Sequence, residues 1–268
     1  GESLDDVARA MAEIKVQTGE VDPSKLNELT TNAIHLRDTF GFDIQETIRA
    51  TNMLMNQFGV DGDQAFNLIV QGAQNGLNKN GDLLDVINEY SVKFADSGDS
   101  AEDFFNRLKN SSDAGSWSID KSADAFKEFT IKIQEGSEGT VWALDRFNIN
   151  WEVAADAIAK GGEAGKKMTK DIINGLISLD DPLAQNTFGV ELFGTMWEDS
   201  GSKAILAMAD TTGEINSAKN SMDELANTNM GSMNAQWSSL GRTLKNEVIA
   251  PIINELKPHI ENFVNWAM

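Results

Sequence analysis

The feature that most constrains this chain is a short punctuation mark: a Gly, an apolar residue and an Asp, set between two helical runs. Leu36, Phe40-Gly41-Phe42-Asp43 and Glu46 recur eighteen residues later as Leu54, Phe58-Gly59-Val60-Asp61 and Gln64. Gly ends a helix in the left-handed conformation without a Cβ penalty. The next apolar residue folds back as a staple, and Asp caps the following helix, with Glu or Gln at its third position. Each copy therefore specifies half of a helical hairpin. Ser100-Ala101-Glu102-Asp103 after Gly98 carries the same start signal, and Ile119-Asp120 and Ile149-Asn150 are later versions of it.

Between these stops the apolar residues keep helical spacing, as in Val7, Met11 and Ile14, and in Ile44, Ile48, Met53, Met55 and Phe58. Strand-like alternation is nearly absent. The spacing predicts helices over roughly 4 to 18, 24 to 40, 43 to 58, 62 to 79, 82 to 96, 101 to 110, 120 to 136, 150 to 160, 163 to 177, 183 to 198 and 203 to 210, then two longer ones over 214 to 229 and 232 to 268. Two clear copies of an eighteen-residue unit are too few for a solenoid. The expected fold is all-α: an irregular multi-helix bundle of short Gly-punctuated helical hairpins, followed by long C-terminal amphipathic helices. The Ser/Asp/Gly-rich 110 to 118 and Thr211-Thr212-Gly213 are the natural boundaries, giving 1–110 and 111–212 as helical subdomains and 213–268 as the long C-terminal helices.

The last segment differs in character. Trp237, Leu240, Leu244, Val248, Ile252, Leu256, Ile260, Phe263 and Ala267 run at steps of three or four, a continuous apolar stripe that something must cover. The mean step of about 3.75 exceeds the 3.5 of a left-handed coiled coil, so a regular zipper is not expected. Pro251 and Pro258 each remove a backbone donor and crowd the preceding turn, which predicts a bend near Ala250.

Charge narrows the partners. The 42 acidic and 22 basic residues give a formal net charge of −20, and the excess is present in every region: ten acids to five bases in residues 1 to 60, six to four after 210. A surface of that sign repels phosphate backbones and anionic lipid, so neither specific nucleic-acid binding nor membrane binding is expected of this segment. There is no cysteine, which removes disulfides, thiolate metal sites and a Cys nucleophile. No uncharged apolar run approaches the ~20 residues needed to span a bilayer. Residue 1 is Gly and helical periodicity is already running at Leu4, so the chain is read as a piece of a longer one.

Catalytic patterns fail when tested residue by residue. His35 and His259 are the two imidazoles, neither in a metal or triad spacing, and His35 is expected on an exposed helix face. Gly161-Gly162-Glu163-Ala164-Gly165-Lys166-Lys167 invites a phosphate-loop reading, but Lys160 and Lys167 stand where Gly and Ser or Thr are required, and a helix precedes it. Asp61-Gly62-Asp63 opens like a calcium loop, yet Ala65 and Phe66 follow and Gly72 holds the twelfth position. Asp180-Asp181 and Glu198-Asp199 are acidic pairs, with Asp181-Pro182 fitting a helix cap followed by proline. Trp117, Trp142, Trp151 and Trp197 fall near helix ends, where a ring buries its body and leaves its N–H a partner. No catalytic residue, metal or cofactor is expected.

One stretch points further. Asp180-Asp181-Pro182-Leu183 through Val190-Glu191-Leu192-Phe193-Gly194-Thr195-Met196-Trp197-Glu198-Asp199 resembles the core region of tail tape measure proteins of long-tailed bacteriophages, in particular those of phages and prophages of Gram-positive bacteria. Similar features extend both ways: the opening Ser3-Leu4-Asp5-Asp6-Val7-Ala8-Arg9-Ala10-Met11, the Phe-Gly-apolar-Asp hairpins, and Trp237-Ser238-Ser239-Leu240-Gly241-Arg242-Thr243 leading to Pro251-Ile252. The resemblance implies a structural protein of the tail lumen. It would set tail length as tube subunits polymerise around it, leave ahead of DNA, and sit in a virion assembled in the bacterial cytoplasm. Its implied partners are tail-tube and tail assembly proteins and other copies of itself. Within it, Leu192, Phe193, Gly194 and Trp197 are read as a packing element. A helical interaction or effector module is the alternative, and a hydrolase using Asp180, Asp181, Glu198 and Asp199 within ~5–10 Å of one another is the weakest reading.

A single helix of this length would reach ~400 Å at 1.5 Å per residue, and the glycine stops forbid it, so a docking or assembly role suits this segment better than measurement. The stripe Trp237, Leu240, Leu244, Val248, Ile252, Leu256, Ile260 and Phe263 is the expected interaction surface. Removal of residues 236–268 is predicted to change the oligomeric state or the solubility, read by light scattering; an unchanged monomer would count against that surface.

Overall fold

Helix starts and stops follow the punctuation. The computed structural model describes residues 11–226 apart from 13, 17, 18, 20 and 21, and among them the regular structure is helical. The helices are α1 (Pro23–Phe40), α2 (Ile44–Phe58), α3 (Gly62–Gln74), α4 (Leu83–Asp96), α5 (Ala101–Asp113), α6 (Ile119–Glu135), α7 (Glu138–Arg146), α8 (Trp151–Lys160), α9 (Gly162–Ile177), α10 (Pro182–Phe193), α11 (Met196–Ser200) and α12 (Ser202–Ala207). Residues 221–226 are helical as well.

Both copies of the opening motif act as read. Gly41 (φ 73°) donates its N–H to Arg37 O at 2.8 Å, and Asp43 Oδ1 then accepts the Glu46 N–H at 3.0 Å. Gly59 (φ 71°) donates to Met55 O at 3.0 Å, and Asp61 and Gln64 close a reciprocal capping box at 2.9 and 3.0 Å. Ser100 and Asp103 form another ahead of α5. Each such cap contributes about 1 kcal/mol.

The structure departs from the periodicity at four places. α7 was not expected, because Gly139-Thr140-Val141 has weak intrinsic helix propensity. It forms because Ser137 caps it and α10 packs on it, Gly139 lying so close to the Glu191 carboxylate that a Cβ there would sit 1.7 Å from it. The helix expected over 183 to 198 breaks at Gly194 (φ 59°) into α10 and α11. Residues 214–220 are not helical, contrary to the expected 214 to 229 helix; the backbone groups of Ile215 and Asn216 and the Ser217 N–H are taken by side chains of α3 and α5. His35, expected on an exposed face, is buried at 7% exposure. Ala33, Ile34, His35 and Leu36 are buried in succession, so α1 is covered around a full turn and its apolar pattern has no clean polar side.

Two compact units result: residues 49–221, and a second to which the described residues before 49 and after 221 belong. In the second, Met11, Ile14, Leu29 and Leu36 are buried, and the Phe40 and Phe42 rings meet at 5.6 Å across the Gly41 stop. Unit 49–221 is organised on a chain of rings. Phe58 meets Phe104 (5.8 Å), Phe104 meets Phe94 (4.8 Å), and Phe94 stacks on Phe126 (4.1 Å). The series continues through Phe129 and Phe193 (5.0 Å) to Trp197 (5.9 Å). It threads α2, α5, α4, α6, α10 and α11, and each pair adds roughly 0.5–1.5 kcal/mol beyond area burial.

Set into that apolar core is a buried ion pair. Arg107, fully buried on α5, pairs bidentately with Asp99: Nε to Oδ2 at 2.6 Å and Nη2 to Oδ1 at 2.8 Å. Its remaining nitrogen Nη1 donates to Met208 O, and its guanidinium lies 5.3 Å from the Phe126 ring centroid. Burial pushes the Asp99 carboxyl up, while Arg107's charge and hydrogen bonds oppose the shift.

Breaking that pair strands a charge in a dry core. Arg107→Met is predicted to destabilise unit 49–221 by about 3–5 kcal/mol, and the double variant Arg107→Met/Asp99→Asn by clearly less than the single one, both read by chemical denaturation. His35 supplies the pH dependence. Burial lowers its pKa, with Asp38 acting in the opposite sense, so below the ordinary imidazole value near 6.5 the unfolded chain binds the proton more readily than the folded one. Stability is therefore lost as pH falls from about 7 through the lowered folded value. The melting temperature is predicted to drop between pH 7.5 and 5.5, with a smaller drop in His35→Gln.

Candidate functional site

The segment that resembles a known core is built by one close approach. The Trp197 indole of α11 lies on Gly189 of α10, where a Cβ would come within 2.2 Å of the ring, and its Nε1 donates to Asn186 Oδ1 at 3.1 Å. Leu192, Phe193 and Trp197 are buried, Phe193 reaching Phe129 of α6. Gly194 gives the chain the left-handed turn that folds α11 back. Trp151 is similarly seated, its Nε1 donating to Ile133 O at 2.8 Å. Trp117 and Trp142 are not; they stand 62% and 53% exposed.

The acidic pairs form no pocket. Asp180, Asp181, Glu198 and Asp199 are all exposed, and Asp181 Oδ1 is committed to the Leu183 N–H at 2.9 Å as the cap of α10. Among the described residues no group of three or more His, Asp or Glu side chains could hold a metal ion. Gly161, Gly162 and Gly165 cradle no phosphate. They let the start of α9 press on the end of α4, where a Cβ on Gly161 would sit 2.2 Å from Asp96 O and one on Gly165 would sit 2.7 Å from Ser97 O.

Beside these glycines a cavity of about 830 Å³ is lined by Asp96, Gln134, Asp156 and Lys160, and two further surface features stand out. A groove of about 640 Å³ between α4 and the start of α6 is lined by Asp82, Asp85, Glu89 and Asp120, with Trp117 at its rim. Burial, then Asp120, Asp124 and Glu89, push the neighbouring Tyr90 phenol up, which reports the negative potential there. Such a groove concentrates cations, and within it the Ser118 hydroxyl donates to Asp82 Oδ2 at 2.9 Å. Around α7 and α10, Trp142 packs 4.6 Å from Phe188 while Leu183 and Val190 stand 74% and 38% exposed, so α10 is apolar on its outer side as well as its inner one.

The most elaborate polar arrangement is one that sequence reasoning missed. Residues 208–217 follow the end of α12 outside any helix and cross α3 and α5, and side chains supply many of their backbone partners. Asn106 donates from Nδ2 to Ile215 O (3.1 Å) and accepts the Ile215 N–H at Oδ1 (3.3 Å). Gln71 does the same for Asn216, at 2.8 and 3.0 Å. Glu102 Oε1 accepts the Ser217 N–H at 3.3 Å and its hydroxyl, and Asn110 Nδ2 donates to Asp210 O and Thr212 O. Burial pushes the Glu102 carboxyl up, but the Ser217 hydroxyl and other hydrogen bonds outweigh it and leave it below the usual range. Gln71 and Asn216 are 145 residues apart, and no local pattern marks such a pairing.

The stripe Trp237, Leu240, Leu244, Val248, Ile252, Leu256, Ile260 and Phe263, His259 and the bend expected near Ala250 lie outside the described residues. No helix among the described residues is long and apolar enough to cross a membrane.

A probable tape measure protein of Streptomyces phage phiC31 is 29% identical over 239 residues, covering 85% of this chain and 33% of the relative. The chain thus spans about a third of the length of the curated relative it matches. No solved structure matches it. The profile of the family described as phage-related minor tail protein matches residues 1–194, a span that includes α1 to α10 and ends at Gly194, and on that match the chain belongs to the phage-related minor tail protein family.

Proposed function

We propose that this chain is a docking and assembly domain of a tail tape measure protein, a virion component that fills the tail lumen before DNA ejection and sets tail length as tube subunits polymerise around it. The observation that carries this reading is the family match over a unit whose stops and caps fold it back on itself. A measuring rod needs an extended element rising about 1.5 Å per residue, and α1 to α12 are short helices turned back by glycines. Length measurement belongs to parts of the parent protein outside this chain, while the domain engages tail-tube and assembly proteins. Trp142, Leu183 and Val190 support a protein-facing surface, and the stripe from Trp237 to Phe263 is proposed as a second one, suited to self-association. The role is structural and not catalytic, a reading supported by the exposure of the acidic pairs and the use of Asp181 as a helix cap.

In a phage carrying this protein, in-frame deletions elsewhere in the same gene product are predicted to shorten tails in proportion to the residues removed. Gly189→Leu, which drives a side chain into the Trp197 indole, is predicted to reduce the number of assembled tails several-fold without changing the length of those that form. Electron micrographs of lysates read both. Normal tail numbers with Gly189→Leu, or tails of altered length, would overturn the division of labour.

A further inference from the structure

The segment after α12 is held differently from everything around it. Between residues 210 and 220 the one deeply buried apolar side chain is Ile215, at 2% exposure; Ser217, also buried, is polar and bonded to Glu102. The hold otherwise consists of hydrogen bonds from Gln71, Glu102, Asn106 and Asn110. Each of these groups can take water instead when the segment lifts, so opening trades protein hydrogen bonds for hydrated ones and exposes little apolar area. Asn106 and Gln71 are 4% and 3% exposed, polar side chains bonded directly to the segment that crosses them. The helices beneath are held otherwise: Phe94, Phe104, Phe126 and Phe129 are fully buried in contact with one another. Arg107 anchors the near end of the segment at Met208 O, and Gly213 lies so close to the Asn106 amide that a Cβ there would come within 2.2 Å of it.

We propose that residues 210–220 are a releasable strap, which opens and closes on the α3–α5 face as its own cooperative unit while the helices beneath stay folded. The device is independent of the tail role, since it follows from which groups make the contact.

Hydrogen exchange on the full chain, followed through a series of low denaturant concentrations, tests it. The Ile215, Asn216 and Ser217 amides are expected to exchange at least tenfold faster than those of Phe126 and Phe129, and with much weaker dependence on denaturant. Equal rates and equal dependence would mean that the segment opens only with the whole unit, and would overturn the proposal. Gln71→Ala/Asn106→Ala is expected to speed exchange of the strap amides at least a further tenfold and to leave the α6 amides unchanged. Equal acceleration in α6, or none in the strap, would also overturn it.

Discussion

The buried guanidinium of Arg107 is the interaction on which unit 49–221 depends. It touches four parts of the chain at once: α5, which carries it; the α4–α5 turn through Asp99; α6 through the Phe126 ring; and the turn that leads into the strap through Met208 O. An apolar side chain of similar volume would fill the space without directing anything, whereas the planar fork requires each partner at a set angle. The ring series from Phe58 to Trp197 contributes apolar burial whose partners are fixed by shape alone, without the directed hydrogen bonds of a charge. The ion pair adds that direction, which is a reason for a dry core to contain a charge whose net contribution to stability is small.

Much of the fold was legible because its instructions are local. Gly41 with Asp43, Gly59 with Asp61, and Ser100 with Asp103 write a stop and a start within four residues, and caps act over that distance. What was illegible depends on contacts between distant residues. Nothing near His35 marks it as buried, since the face it shares with Ala33 and Leu36 is decided by what packs there. α7 has a legible cap in Ser137 but a weak interior, and its survival rests on α10. The strap is the clearest case: 214–220 carry an acceptable helical pattern, which Asn106 and Gln71 override by taking the backbone groups a helix would have used. The surface candidates divide in the same way. The packing of Phe193 and Trp197 follows from helical spacing, while the exposure of Trp142 and the acidity around Trp117 emerge only from how neighbouring helices arrive.

A domain of this kind, inside a longer tail protein, separates two mechanical demands. Length is read by something extended; assembly needs a shape that other proteins can recognise. The short hairpins and the aromatic series give unit 49–221 a persistent shape, and on the proposed reading its excess of acidic residues would repel nucleic acid passing through the tail. Those two properties require no active site.

The glycines where α9 meets α4 have an effect of a different kind. There, main chain touches main chain at Gly161 and Gly165, and a Cβ on Gly98 would come within 2.0 Å of Gly162 O. A junction made of main chain places no packing demand on the exposed side chains around it, Glu163 among them. The joint itself admits no substitution. A scaffold fixed at a few backbone contacts and permissive elsewhere is one that can be refitted to new partners without being redesigned.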